Sequence, residues 1–282
     1  MRAEQITEPV AYHGEGPVWS ERWRGLRFVD MLAGDILSLS DDGSVDRRHV
    51  ADVAAAIRPR SKGGTVIGIE RGFALENPDG TLIRLDELWT NDQVRMNEGS
   101  CDPDGRFYCG SMSRDKRPGA GALYRLDPDL SVRVVLPDVT ISNGLEWTKD
   151  GSRAYYNDTA TYSVSVFDYD SQAGLINRRV FVDLSAEGKR PDGLTVDEQD
   201  GVWVALSNGS AVRGYTAEGV LAEVIEVPVK KVTACTFGGP QLDRLFITTS
   251  REGVDASTDP LAGSLFQAIV GVRGVPAREF AG

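Results

Sequence analysis

Ile141-Ser142-Asn143-Gly144-Leu145 and Pro191-Asp192-Gly193-Leu194 each set an oxygen-bearing side chain directly before a glycine, with an apolar residue following. The same arrangement occurs at Glu15-Gly16 and Glu98-Gly99. The glycines at 99, 144 and 193 stand 45 and 49 residues apart. Gly16 and Gly99 are 83 residues apart, close to two such steps, and Gly64 falls between them. A period in the forties with strand-like content in each unit is the signature of a closed ring of small antiparallel sheets. Side chains at the same place in successive blades of such a ring converge on its axis.

Short apolar or alternating runs, among them Leu26–Val29, Phe73–Glu76, Phe107–Gly110, Val164–Tyr169, Val202–Leu206 and Leu245–Thr249, are closed by turn signals such as Asp41-Asp42-Gly43, Pro103-Asp104-Gly105 and Lys149-Asp150-Gly151. Runs of this length, rich in Val, Ile, Phe, Tyr and Thr, read as hairpins. Helix signals are poor, and only Asp52–Arg58 and Leu85–Trp89 are given a turn or two. Dividing 282 residues by six gives 47 per unit, inside the range for a four-stranded blade. The expected fold is therefore all-β, a six-bladed β-propeller of four-stranded antiparallel blades. Inner strands are expected to start near residues 15, 64, 98, 143, 192 and 234. A strand from one terminus is expected to close the ring on the other. With no Pro/Ser-rich linker and no break in composition, residues 1–282 read as one domain.

Bulk numbers exclude several functions. Hydrophobic content of 41% and charged content of 26% are those of a soluble globular protein. A net charge of −11 argues against a nucleic-acid backbone as partner. No apolar run approaches membrane-spanning length, and the N-terminal residues lack a signal-peptide core, so the expected location is cytoplasmic without membrane association. Cys101, Cys109 and Cys235 are odd in number and lack zinc spacing; they read as small buried hydrophobes in a reducing compartment. The oligomeric state stays open, a monomer being compatible.

Singly, Asn-Gly and Asp-Gly are favoured turns. As a set, these pairs stand apart from ordinary turns, because separate Asp-Gly turns already occupy the hairpin positions and glutamate is a poor turn former. Glu15, Asn143 and Asp192 supply two negative charges and one neutral oxygen, a hard and incomplete shell for one divalent cation, Ca²⁺, Zn²⁺, Mg²⁺, Mn²⁺ or Fe²⁺. A cation so held leaves positions for water and substrate, which suits hydrolysis of an ester or lactone. Asp192 is the candidate general base as well as a metal ligand. Arg95 and Asn97 add the donors that a sugar-like substrate needs for its hydroxyl and carbonyl oxygens.

These stretches, with Arg95-Met96-Asn97-Glu98-Gly99, Cys101-Asp102-Pro103-Asp104-Gly105-Arg106, Phe237-Gly238-Gly239-Pro240 and Leu261-Ala262-Gly263-Ser264-Leu265-Phe266, resemble the senescence-marker-protein/gluconolactonase family, also called regucalcin-like or luciferin-regenerating-enzyme-like. The likeness runs nearly end to end. It implies a six-bladed propeller with one divalent metal in its channel, hydrolysing sugar (aldono-)lactones. The family's metal ligands fall on Glu15, Asn143 and Asp192, and its general base on Asp192. Its substrate contacts fall on Arg95 and Asn97, and a further acidic one on Asp115. Two departures stand out: Asn97-Glu98-Gly99 replaces the family's Asn-Asp-Gly, and the stretch 113–121 is short and basic, carrying Arg114, Lys116 and Arg117.

His13 beside Gly14-Glu15 is expected to be a hydrogen-bonded structural histidine, and His49 to be peripheral. Trp19, Trp147 and Trp203 are expected to pack between blades. Blade two, with no acid at its start, is expected to shape the pocket wall. Two other function classes compete with the lactonase: a metal-dependent phosphoester or organophosphate hydrolase, and a non-catalytic calcium-binding regulator. The latter has no need of Arg95 or Asn97.

Overall fold

The alternating segments and their turns form 24 strands in a computed structural model that describes residues 1–282. They are arranged as six four-stranded sheets in which every neighbouring pair is antiparallel. No α-helix is present; the helical residues are four three-residue 3₁₀ turns. Turn glycines close the hairpins because they take the left-handed backbone that side chains resist, as at Gly105 (φ 75°) and Gly151 (φ 74°).

The innermost strands are Gly14–Ser20, Ala54–Pro59, Val94–Cys101, Ser142–Trp147, Arg190–Val196 and Val232–Gly238. Their starts are 40, 40, 48, 48 and 42 residues apart, so the period is real but looser than the glycine spacing suggests. Five of the six expected starts lie in these strands. The expected start at 64 does not: Gly64 lies in the turn that follows the inner strand of blade two. The helical turn expected over Asp52–Arg58 is that same inner strand. Ala54-Ala55-Ala56 favours a helix by intrinsic propensity, but all six residues of Ala54–Pro59 are buried, and packing overrides a weak local preference. Leu85–Trp89 is likewise not helical; Leu85, Leu88 and Trp89 tuck against the largest apolar cluster as an irregular connection.

Ring closure is as expected. The sixth blade takes three strands from residues 232–268 and its outermost strand from Glu4–Gln5, with Glu4 opposite Gln267 and Gln5 opposite Phe266. The tryptophans pack between blades. Trp147 meets Tyr108 of blade three edge-on at 5.2 Å, while Trp203 and Trp19 meet Phe237 and Phe246 of blade six, each at 5.9 Å. All three cysteines are free and buried.

One local irregularity repeats around the ring. Each inner strand slips register by one residue against its neighbour, between Glu15 and Val18, Ala54 and Ala56, Met96 and Gly99, Ser142 and Leu145, Pro191 and Leu194, and Val232 and Ala234. Such bulges re-aim a side chain out of the alternation of the pleat. In four of the six blades that point is where a polar residue stands, and in blade one Glu15 stands immediately before it.

Candidate metal and substrate site

In blades three, four and five the first residue of the bulge is Asn97, Asn143 and Asp192. In blade six it is Thr233. All four line one pocket of about 180 Å³, together with Glu15 of blade one, a volume that limits the occupant to one small molecule. Glu98 follows Asn97 and occupies the place held by Gly144 and Gly193 in the next two blades. The true counterpart of Asn143 and Asp192 is thus Asn97, and the Glu98-Gly99 pair is offset from the others by one residue. Blade two puts Ala55 at its bulge and no residue into the pocket lining, so it does not shape the wall as expected but fills its sector with alanine.

The glycines after the site residues are demanded by space rather than by turns. A Cβ on Gly144 would stand 2.5 Å from the Leu194 backbone nitrogen, and one on Gly193 2.4 Å from the Ala234 Cβ. Inner strands of neighbouring blades meet here backbone to backbone, which brings the side chains before the glycines close to the axis.

Glu15, Arg95, Asn97, Asn143 and Asp192 are all buried. Asn143 is oriented by a relay. The Thr159 hydroxyl donates to the Pro191 carbonyl (2.7 Å) and therefore accepts from Asn143 Nδ2 (2.9 Å). That leaves Asn143 Oδ1 buried with no hydrogen-bond partner, and Glu15 Oε2 is in the same condition. Buried oxygens are normally satisfied, so two orphans in one pocket are acceptors awaiting a donor or a cation. Asp192 is fixed through its own carbonyl, which accepts from Asn157 Nδ2 at 2.7 Å.

Charge repulsion points the same way. Burial, then the Glu98 carboxylate, pushes Asp192 up to about 7. Burial, then Asp192 and Glu98, holds Glu15 well above the usual carboxylate range. Burial also lifts Glu98 to about 7, and its Oε2 has no partner. Acids gathered at such a cost in desolvation and repulsion are those a divalent cation would satisfy. No three His, Cys, Asp or Glu side chains form a metal-binding group, since the third member of this set is the Asn143 amide. Two carboxylates, one amide oxygen and no sulfur or imidazole make a donor set for a hard cation, and the residues present fit one.

Arg95 lies beside this oxygen set. Its guanidinium donates to Asn97 Oδ1 (2.6 Å) and to the Met96 carbonyl (2.9 Å), while Asn97 Nδ2 donates to the Ser142 carbonyl (2.7 Å). Burial, then Arg114, lowers Arg95 to about 10, so it stays charged at neutral pH. His13 both lines the pocket and is hydrogen-bonded, Nδ1 to Ser250 Oγ at 2.6 Å. Burial and then Arg95 hold it down to about 4, a neutral ring. His49 is peripheral, against Asp35 at 2.8 Å. Asp115 is not brought to the site. It is exposed outside the pocket, accepting from the Arg117 backbone at 3.3 Å, while Arg114 and Lys116 on either side of it line the pocket. The turn closed by the Lys116 backbone N–H on the Ser113 carbonyl (2.9 Å), with Lys116 at φ 57°, separates these neighbours, and spacing alone does not reveal it.

The sequence reading also missed Arg190, Lys231, Glu252 and Thr159, all of which line the pocket. A signal for two of them was present. The residues two positions before Glu15, Asn97, Asp192 and Thr233 are His13, Arg95, Arg190 and Lys231. Both members of each pair line the pocket.

The model of the SMP-30/gluconolactonase/LRE-like region matches residues 13–251. Regucalcin of Oryctolagus cuniculus is 35% identical over 296 residues, spanning 100% of this chain and 99% of its own. Regucalcin of Homo sapiens is 36% identical over 284 residues, 95% of each. Among solved structures, a calcium-binding protein, regucalcin, from Agrobacterium tumefaciens superposes with a TM-score of 0.92 at 25% identity, over 99% of this chain and 97% of that one. A gluconolactonase from Xanthomonas campestris shares the fold, with a TM-score of 0.76 at 22% identity over 93% and 87%.

Proposed function

This chain belongs to the SMP-30/gluconolactonase/LRE-like family, and from that premise we propose that it is a metal-dependent lactonase that opens a sugar lactone to its hydroxy acid. The observation that carries the reading is one pocket in which Glu15 and Asn143 present unsatisfied oxygens, with the buried Asp192 carboxylate, beside the Arg95–Asn97 pair. The family's inclusion of gluconolactonases supports lactone hydrolysis in general.

Glu15, Asn143 and Asp192 would hold one divalent cation. Bound there, it supplies Lewis-acid polarisation of the lactone carbonyl and a more acidic water. Asp192 takes the proton from the attacking water with its carboxylate. Water adds to the carbonyl carbon, the ring carbon–oxygen bond breaks, and the ring oxygen leaves as the hydroxyl of the acid with the proton that Asp192 returns. Arg95 and Asn97 orient the sugar by hydrogen bonds to its oxygens, with Asn97 held in place by the Ser142 carbonyl. A site that only stored a cation would have no use for the Arg95 guanidinium.

The test is a panel of aldonolactones followed by proton release, before and after thorough chelation and on return of Ca²⁺, Zn²⁺, Mg²⁺, Mn²⁺ or Fe²⁺. Turnover is expected to vanish on chelation and to return with at least one ion. A phosphotriester in parallel separates the phosphoester hydrolase. Undiminished hydrolysis after metal removal, or no lactone opened under any ion, overturns the proposal.

A further inference from the structure

The oxygen set shares its pocket with a group of positive charges. Arg95 and Arg190 stand two residues before Asn97 and Asp192, Lys231 likewise precedes Thr233, and all six line the pocket. Two residues of strand advance about 7 Å along the channel, comparable to the length of a six-carbon sugar chain. Arg114 and Lys116 join them from the short loop after the inner hairpin of blade three. Five cations therefore line a pocket whose acids are Glu15, Asp192 and Glu252, in a chain of net charge −11.

Four of those cations form no direct ion pair. Lys231 faces Glu252 at 3.4 Å. Three of these bond neutral acceptors: Arg95 to Asn97 Oδ1, Arg114 to the Asp92 carbonyl (3.2 Å), and Arg190 to the Tyr162 hydroxyl (3.1 Å). Arg190 also lies over the Tyr162 ring at 5.5 Å, which fixes its direction. Lys116 holds a left-handed backbone, φ 57°, in the turn that sends Asp115 outward and leaves Arg114 and Lys116 at the pocket. Other buried or half-buried arginines of this chain do meet acids, as Arg47 does with Asp30, Arg106 with Asp102 and Arg213 with Glu187. Like charges gathered at a pocket mouth without partners are costly unless the occupant supplies the counter-charge.

We propose that the substrate is an anionic sugar lactone, carrying a carboxylate or phosphate at the end of the chain remote from the lactone carbonyl, and that Arg114, Lys116 and Arg190 bind that terminal anion. The assignment rests on the lactonase reading given above and specifies its substrate class. The terminal group takes no part in the chemistry; it is held by these cations while the carbonyl is presented to the oxygen set. Guanidinium groups suit this task, since their fork matches the two oxygens of a carboxylate or phosphate.

The test compares D-glucono-1,4-lactone with D-glucaro-1,4-lactone, which differ in a terminal hydroxymethyl against a carboxylate, and adds the 6-phosphorylated gluconolactone as the phosphate arm. At low ionic strength kcat/KM for at least one anionic lactone is expected to exceed the neutral one by tenfold or more, and the ratio to shrink in 0.5 M salt. In R114A/K116A and in R190A the ratio is expected to fall towards one. Calorimetric binding of glucarate and gluconate to the metal-stripped protein gives a readout free of turnover, with glucarate expected tenfold tighter in the parent and not in the variants. Equal rates and equal binding for charged and neutral partners overturn the anion site while leaving the lactonase standing. Preferential glucarate binding without hydrolysis of any lactone upholds the anion site and removes the lactonase. A preference that survives in all the variants overturns the assignment to these side chains.

Discussion

Asp192 carries the heaviest demands of any single residue. Its carboxylate sits at a bulge, its carbonyl is tied to Asn157, and its proton affinity is raised by burial and Glu98. Asp192→Asn keeps the shape and removes both a negative ligand and the proton acceptor. Loss of a general base alone costs on the order of 10² to 10⁴ in rate, so kcat on a responsive lactone is expected to fall by at least about a thousandfold once the weakened ion site is included. Circular dichroism is expected to be unchanged. Turnover within tenfold of the parent would remove Asp192 as the base. At this scale much of the site was legible, because an oxygen side chain before a glycine, repeated at a blade-like interval, is rare enough to notice. Glu15, Arg95, Asn97, Asn143 and Asp192 all reach the pocket. Asp115 does not, because the turn at Lys116 aims it outward, and one residue of alternation cannot be read from spacing in a loop. Thr159 was invisible, since its role depends on the Pro191 carbonyl, 32 residues away.

Among the elements, the bulged inner strand is the unit that makes function possible. The slip frees one residue per blade from the pleat, and the glycine behind it lets the next strand approach. Glycines of this chain therefore fall into two kinds with different expected costs. Gly144→Ala drives a methyl against the Leu194 nitrogen at 2.5 Å and the Asp192 carbonyl at 2.8 Å. Overpacking of this kind costs about 1–3 kcal/mol and displaces Asp192, so both the urea midpoint and lactone turnover are expected to drop. Gly43→Ala meets no atom within 4 Å and pays only for its left-handed backbone, φ 83°. It is expected to cost about 1 kcal/mol with turnover intact. Equal loss of activity in the two variants would show that the inner-strand glycine has no special bearing on the site. Element by element, the strands were legible from alternation and turn residues, while blade two was misplaced. Its inner strand, Ala54-Ala55-Ala56-Ile57-Arg58-Pro59, has neither alternation nor a marker before a glycine, because it is buried on both faces and contributes nothing polar to the axis. Gly64 stood out instead, and it belongs to a turn.

At the scale of the molecule, ring closure by Glu4–Gln5 leaves no free inner edge and converts six separate strand ends into one shared axis. That geometry is what forces Glu15, Glu98 and Asp192 together, from stretches far apart in the chain, and it links the stability of the whole propeller to their protonation. A carboxylate whose affinity for a proton is raised by folding keeps that proton in the native state and releases it on unfolding. Its stabilising contribution is complete below its ordinary pKa and is lost as pH rises through the folded value, which is about 7 for both Asp192 and Glu98. Glu15 shifts in the same direction. His13, lowered to about 4, acts oppositely, since acid charges it in the unfolded chain first, but it does so only below its ordinary value of 6.5. Between pH 6.5 and 8 the carboxylates act alone. The metal-stripped protein is therefore expected to lose on the order of 1 kcal/mol or more across that interval, read as a falling urea midpoint with m unchanged. A divalent cation binds the ionised carboxylates of the native state and is expected to raise the midpoint, most at pH 8, flattening the dependence. A midpoint that is level or rises from pH 6.5 to 8 in chelator would mean that these three acids do not share one desolvated space, and the case for a cation held by Glu15, Asn143 and Asp192 would fall with it.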